Sequence, residues 1–137
     1  DGNHFVFDDE KEPFKPVDIG NDFLYPVTSE DEEGRKILMA WMFSPKMNSS
    51  AISIPREICI SRKGEVCLLP YGELARRVIK ESRFVSYGAG RLRVIFEGRT
   101  LFDKAYRECP EIRVLEDVGT VEVFVDGGRE NITLFIC

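Results

Sequence analysis

Apolar residues recur at every second position over most of this chain, in short runs broken by glycine, proline, asparagine or acidic clusters. A period of two predicts strands. The runs are His4 to Asp8, Phe23 to Thr28, Arg35 to Met42, Ala51 to Ile60, Glu65 to Leu69, Phe84 to Tyr87, Leu92 to Phe96, Thr100 to Phe102, Ile112 to Glu116, Val121 to Val125 and Ile132 to Ile136. Ile37-Leu38-Met39-Ala40-Trp41-Met42 carries no polar residue and predicts a strand buried on both faces.

The breaks say how the strands connect. Pro13 and Pro16 stiffen a linker after the first run. Pro26 interrupts the second, which must then be an edge strand or carry a bulge. The acidic turn Ser29-Glu30-Asp31-Glu32-Glu33-Gly34 folds that strand onto the next as a hairpin, and the polar loop SPKMNSS follows. Ile52, Ile54, Ile58 and Ile60 alternate, with Pro55-Arg56-Glu57 predicted to break their ladder. Val121, Val123 and Val125 share a face, and Asp126-Gly127-Gly128 turns that strand into the last one, so the chain ends in a meander. A helical period appears once, in YGELARRVIKESR, where Leu74, Val78 and Ile79 fall on one side; about three turns are predicted there. The fold class is all-β.

Composition narrows the function classes. With 137 residues, 43% of them hydrophobic, the chain supports one domain, or one small domain with an appendage, and a core of its own. A net charge of −5 opposes an extended phosphate-binding surface, so nucleic acid is not an expected partner. Apolar runs are too short to span a bilayer, and Asp1-Gly2-Asn3-His4 lacks the pattern of a signal peptide. A soluble cytoplasmic protein is expected, with a secreted one as the alternative. Upstream sequence could be missing. Asn48-Ser49-Ser50 and Asn131-Ile132-Thr133 fit the glycosylation triplet, a pattern common by chance.

Cys59, Cys67, Cys109 and Cys137 are too widely spaced for a paired zinc motif, so neither a metal nor a cofactor is expected. A three-residue loop centred on Lys63 sets Cys59 opposite Cys67, whereas a two-residue loop at Lys63-Gly64 pairs Cys59 with Leu68. A disulfide depends on that register, and reduced thiols acting as small hydrophobes are the simpler expectation. His4, the lone histidine, has no Cys or Ser partner to suggest a nucleophilic triad.

Three blocks in order, DFLYPVTSEDEEGRKILMAWM, SIPREICISRKGEVCLLPYGEL and IRVLEDVGTVEVFVDGGRENITLFI, resemble the C-terminal part of glycoside hydrolase family 32, the invertase, levanase and sucrose-6-phosphate hydrolase family. The match is good over residues 18 to 75 and 110 to 137. The resemblance implies a last-propeller-blade-like set of hairpins over residues 1–70, a helical linker over 71–82 and a shortened antiparallel β-sandwich over 83–137, with room for about six strands of ordinary length. It makes Trp41 a candidate sugar-stacking residue and a fructoside a possible ligand. The alternative for Trp41 is a core position in a buried strand. Leu24 and Val27 depart from the family's Asp-Phe-Tyr-Ala-Ala-Gln-Thr-like run, where an aromatic and a polar residue would stand.

Glycoside hydrolysis needs two carboxyls set across the scissile bond. The family supplies its nucleophile from an Asn-Asp-Pro-Asn-like motif and a stabilising carboxylate from Arg-Asp-Pro, and this sequence contains neither. Glu108-Cys109-Pro110 matches the family's acid/base tripeptide as text, but it follows the blade-like segment instead of preceding it. A surface carboxylate at the start of a strand is the expectation for Glu108, and no catalytic residue is assigned. The acidic clusters Asp8-Asp9-Glu10 and Glu30 to Glu33 read as solvated loops. A non-catalytic region of a β-fructosidase-like enzyme is implied, or a free-standing carbohydrate-binding or protein-interaction module. Uncovered blade faces would pack on the chain's own sandwich, on a second copy in a homodimer, or on a catalytic propeller that lies elsewhere.

Overall fold

A computed structural model describes residues 15–44, 48–79 and 81–136. The strand expected over His4 to Asp8 and the acidic cluster after it lie outside these residues. The described chain is all-β, with eleven strands in three antiparallel sheets.

The front sheet holds β1 (Phe23–Glu30), β2 (Lys36–Ser44), β3 (Ser49–Ile52), β4 (Arg56–Ile60) and β5 (Val66–Pro70), in the order β1-β2-β4-β5. β1 and β2 form the expected hairpin, paired from Phe23 with Met42 to Glu30 with Lys36. Pro26 is accommodated as its chemistry requires: β1 is an edge strand, and its register shifts between Leu24 and Val27. The far side of β2 is shared. Its C-terminal half pairs with β3, Trp41 lying opposite Ile52, and its N-terminal half pairs with β4, Leu38 lying opposite Arg56. The ladder breaks between these strands at Ser53-Ile54-Pro55, so Arg56 and Glu57 stand inside a strand, contrary to the expected break at Pro55-Arg56-Glu57. Proline lacks the N–H, but its neighbours do not, and Ser53 bridges the gap by exchanging bonds with Ala40 through its N–H (2.9 Å) and hydroxyl (3.0 Å).

β2 also departs from the expectation of two buried faces. Leu38, Ala40, Met42 and Ser44 point inward and are buried, whereas Trp41 on the other face is 41% exposed. An unbroken apolar run states only that no position repels burial; the neighbouring layer decides which face is covered.

The second half of the chain makes two three-stranded sheets. One is β6 (Val85–Gly88), β7 (Arg91–Phe96) and β8 (Arg99–Ala105); the other is the terminal meander β9 (Ile112–Asp117), β10 (Thr120–Val125) and β11 (Glu130–Phe135), in the order β11-β10-β9. They share an apolar core in which Leu92 and Val94 of β7 meet Val114, Val121, Val123, Val125, Ile132 and Leu134. The three alternate valines of β10 fall on one face as the pattern predicts. Every residue of β10 is buried nonetheless, because its other face, with Glu122 and Phe124, lies against the front sheet. The front half therefore packs on the chain's own meander.

Between the halves the predicted three-turn helix shrinks to a single 3-10 segment, Gly72–Arg76, with no buried residue. Tyr71 at its N-cap supplies no side-chain cap, and Gly72 has a left-handed φ of 59°. Beyond it, Ile79 exchanges backbone bonds of 2.8 and 2.9 Å with Val114. Those bonds use the donor and acceptor that a longer helix would need, and tertiary pairing overrides the helical period.

Candidate functional site

The residues that join the halves are polar and deeply buried. Arg56, at the start of β4, is 0% exposed. Its guanidinium donates to Glu122 Oε2 at 2.6 and 3.1 Å, to Asp18 Oδ2 at 2.9 Å and to Thr133 Oγ1. The rings of Phe23 and Phe124 lie 4.7 and 5.4 Å from its Cζ atom, so the cation is held by three oxygen-bearing side chains and two π faces. Glu122 Oε1 accepts the Ile54 N–H at 2.8 Å, which ties the break between β3 and β4 to the meander. Burial raises the Glu122 carboxyl above its ordinary value, a push only partly opposed by Arg56 and the Ile54 N–H.

Asp18 and Asp22 serve the free edge of β11. Asp18 Oδ1 accepts the Thr133 N–H at 3.0 Å, and Asp22 Oδ2 accepts that of Phe135 at 2.9 Å. Carboxylates thus satisfy edge donors that another strand would otherwise claim. A second clip closes the β1–β2 turn: Asp31 accepts from Tyr71 Oη (2.7 Å) and Arg35 Nε (2.6 Å). The Tyr71 hydrogen bond, with those from Arg35, holds the Asp31 carboxyl well below the usual carboxylate range.

The outer face of the front sheet is where Trp41 lies. Its ring stacks on Phe43 (5.2 Å between centroids, 24° between planes) and on Tyr25 (6.0 Å, 22°). Tyr25 is 75% exposed and Ile52, directly opposite Trp41, is 71% exposed. The three near-parallel rings form an open apolar platform of the kind on which a flat apolar surface can stack. Sequence reasoning named only Trp41. Phe43 was available as its i+2 neighbour in a strand, but Tyr25 reaches the row because the bulge at Pro26 puts it at a φ of 48°, which no alternation pattern signals.

Glu108 is exposed in the loop before β9, where its carbonyl accepts from Tyr87 Oη at 3.4 Å. Neither Glu108 nor the aromatic row borders the cavity of about 510 Å³ that lies between β4–β5, the 3-10 segment and the end of the meander. Cys59 stands opposite Cys67, the register of the three-residue loop, and both are free thiols. Burial raises the Cys59 thiol further from ionisation, and the Cys67 sulfur faces the Glu65 carbonyl. Among the described residues no three His, Cys, Asp or Glu side chains gather as a metal site, and no helix is long and apolar enough to cross a membrane.

No family model matches the chain. Over 69 residues, 44% of this chain and 14% of the relative, it is 36% identical to a raffinose invertase of Escherichia coli. Its fold is similar to that of a Bombyx mori glycoside hydrolase family 32 β-fructofuranosidase, a mutant solved in complex with sucrose, with a TM-score of 0.67 and 14% identity over 91% of this chain and 38% of that one. The sucrose-6-phosphate hydrolase of Lactobacillus gasseri gives a TM-score of 0.63 and 13% identity over 88% and 37%. A family 32 glycoside hydrolase of Bifidobacterium adolescentis gives 0.58 and 18% over 88% and 28%. The chain thus spans well under half the length of each of these proteins. It resembles one part of glycoside hydrolase family 32 proteins and has the fold of that part.

Proposed function

We propose that this chain is a non-catalytic C-terminal region of a β-fructosidase-like glycoside hydrolase, in which it supports a fructoside-hydrolysing propeller. The observation that carries the reading is the lopsided coverage: about nine-tenths of this chain corresponds to about a third of each family 32 structure. The carboxylates described above support it too. Glu122 and Asp18 hold Arg56 between the sheets, and Asp31 holds Arg35 and Tyr71, so each is committed to joining elements. Two carboxyls free to face each other across a glycosidic bond are what the reaction demands. The open platform at Trp41 supplies the support role with a contact surface of apolar rings.

The test is hydrolysis of sucrose, sucrose 6-phosphate and inulin by the 137-residue chain alone, with copurification of a family 32 propeller expressed beside it. No turnover and a stable complex are expected, and the complex is lost on Trp41→Asp. Turnover by the chain alone overturns the reading.

A second reading, a carbohydrate-binding module, is favoured by the parallel row Tyr25, Trp41 and Phe43, since sugars stack their C–H faces on such rings. Emission from the sole tryptophan then shifts saturably with sucrose or inulin, and an unchanged spectrum removes this reading.

A further inference from the structure

The cavity of about 510 Å³ lies where three pieces of the fold meet, and its volume falls within the usual range of small-molecule sites, about 300–1,000 Å³. Its walls explain why side chains do not fill it. Gly72 and Gly127 have left-handed φ values of 59° and 66°, which disfavour other residues, and a side chain at either would meet nothing within 4 Å. Gly128 is forced for another reason: a Cβ there would collide with the Leu68 carbonyl, where the Gly128 carbonyl accepts the Leu68 N–H at 2.9 Å. The β10–β11 turn is thus held directly against β5 at Leu68, beside the cavity.

The chemistry of the lining is balanced. Leu69, Val78 and Phe124 give it an apolar part. Two guanidinium groups, Arg35 and Arg113, stand with two carboxylates, Glu57 and Glu111, so the four side chains sum to no charge. Arg35 is already bound by Asp31 and Glu33, and Arg113 by Glu111 at 2.8 Å. An anion entering here would meet both carboxylates, and a cation would meet both guanidinium groups. An uncharged ligand rich in hydroxyls can donate to Glu57 and Glu111, accept from Arg113, and lay its C–H faces on the apolar part.

We propose that this junction cavity binds an uncharged polyhydroxylated ring compound of monosaccharide to disaccharide size, at a place distinct from the aromatic platform. The inference stands on the cavity and does not require the hydrolase reading.

The test is a two-dimensional amide NMR titration of the full chain with fructose and sucrose, and with fructose 6-phosphate and glucosamine as anionic and cationic comparators. Saturable shifts are expected at the amides of Gly72, Ala75, Gly127 and Gly128, with the neutral sugars bound at least tenfold more tightly than either charged compound. Ala75→Trp, an exposed position on the 3-10 segment beside the cavity, fills the space and abolishes these shifts while the dispersion of the spectrum reports an intact fold. Ala75→Ser leaves the space open and binds as the parent does. Glu57→Gln weakens binding several-fold. Shifts confined to the Trp41 surroundings, preference for a charged compound, unaltered binding by Ala75→Trp, or no saturation would each overturn the proposal. None of these results bears on whether the chain hydrolyses sucrose.

Discussion

The two faces of β10 and β11 form interfaces of opposite character. Toward β6–β8 the contact is apolar, with Val121, Val123, Val125, Ile132 and Leu134 against Leu92 and Val94. Toward the front sheet it is built on Arg56, Glu122, Asp18 and Thr133, all but inaccessible to solvent. An apolar contact gains free energy from area and tolerates many arrangements. A buried ion cluster gains little net free energy, because desolvation offsets the attraction, but it demands one arrangement of partners. The apolar side holds the meander together, while the charged side sets how the front sheet lies on it.

The largest effect should come from breaking the charged interface by halves. Glu122→Leu leaves the Arg56 guanidinium and the Ile54 N–H without their main acceptor, and a loss of about 3–5 kcal/mol is expected in urea denaturation. Replacing the cluster together, with Arg56→Met, Glu122→Leu and Asp18→Asn, should recover most of that loss. If the triple variant is no better than Glu122→Leu alone, the interface is not a specificity device of this kind.

The apolar face should respond differently. Ile132→Ala, at a fully buried position, should cost about 2–5 kcal/mol. Compensation then comes only from added volume nearby, since no partner is left with unmet polar groups.

The pH dependence gives the two carboxylate environments opposite signs. Asp31 is held below the ordinary value, so its contribution is present above the ordinary carboxylate pKa, about 4, and is lost as pH falls through the lower folded value. Asp31→Asn should remove that acid-side loss from thermal melts taken as a function of pH. Glu122 is raised, so its contribution is complete below the ordinary value and is lost as pH rises through the folded one. Glu122→Gln should remove a fall of the opposite direction. Identical pH profiles for both variants would contradict the contrast.

The smallest effect is expected where charges are merely adjacent. Glu73 and Arg76 pair at 2.9 Å with about four-fifths of each side chain exposed. Glu73→Gln should leave the urea midpoint unchanged within error.

Much of the architecture was legible before the structure because it rests on local rules. Among the described residues alternation located the strands, and Pro26 announced an edge strand or a bulge, of which β1 has both. The two candidate loop lengths at Lys63 framed the register that places Cys59 opposite Cys67. The candidate site was legible only in part. Trp41 could be named, but its neighbour Tyr25 enters the row through a bulge whose direction depends on the paired strand. The single helix was overestimated because its period says nothing of Val114, which takes both backbone groups of Ile79.

Sequence by itself determined the strand order along the chain, the all-β class and the polar turns, because side-chain period and turn chemistry act over a few residues. Tertiary structure alone decided that Arg56 would be entombed instead of solvated, that β10 would be covered on both faces and that Trp41 would stay open. Each of those outcomes depends on residues far apart in the chain, such as Asp18 and Thr133, meeting at one place. A charged or aromatic side chain carries no local mark of the partner that will bury it.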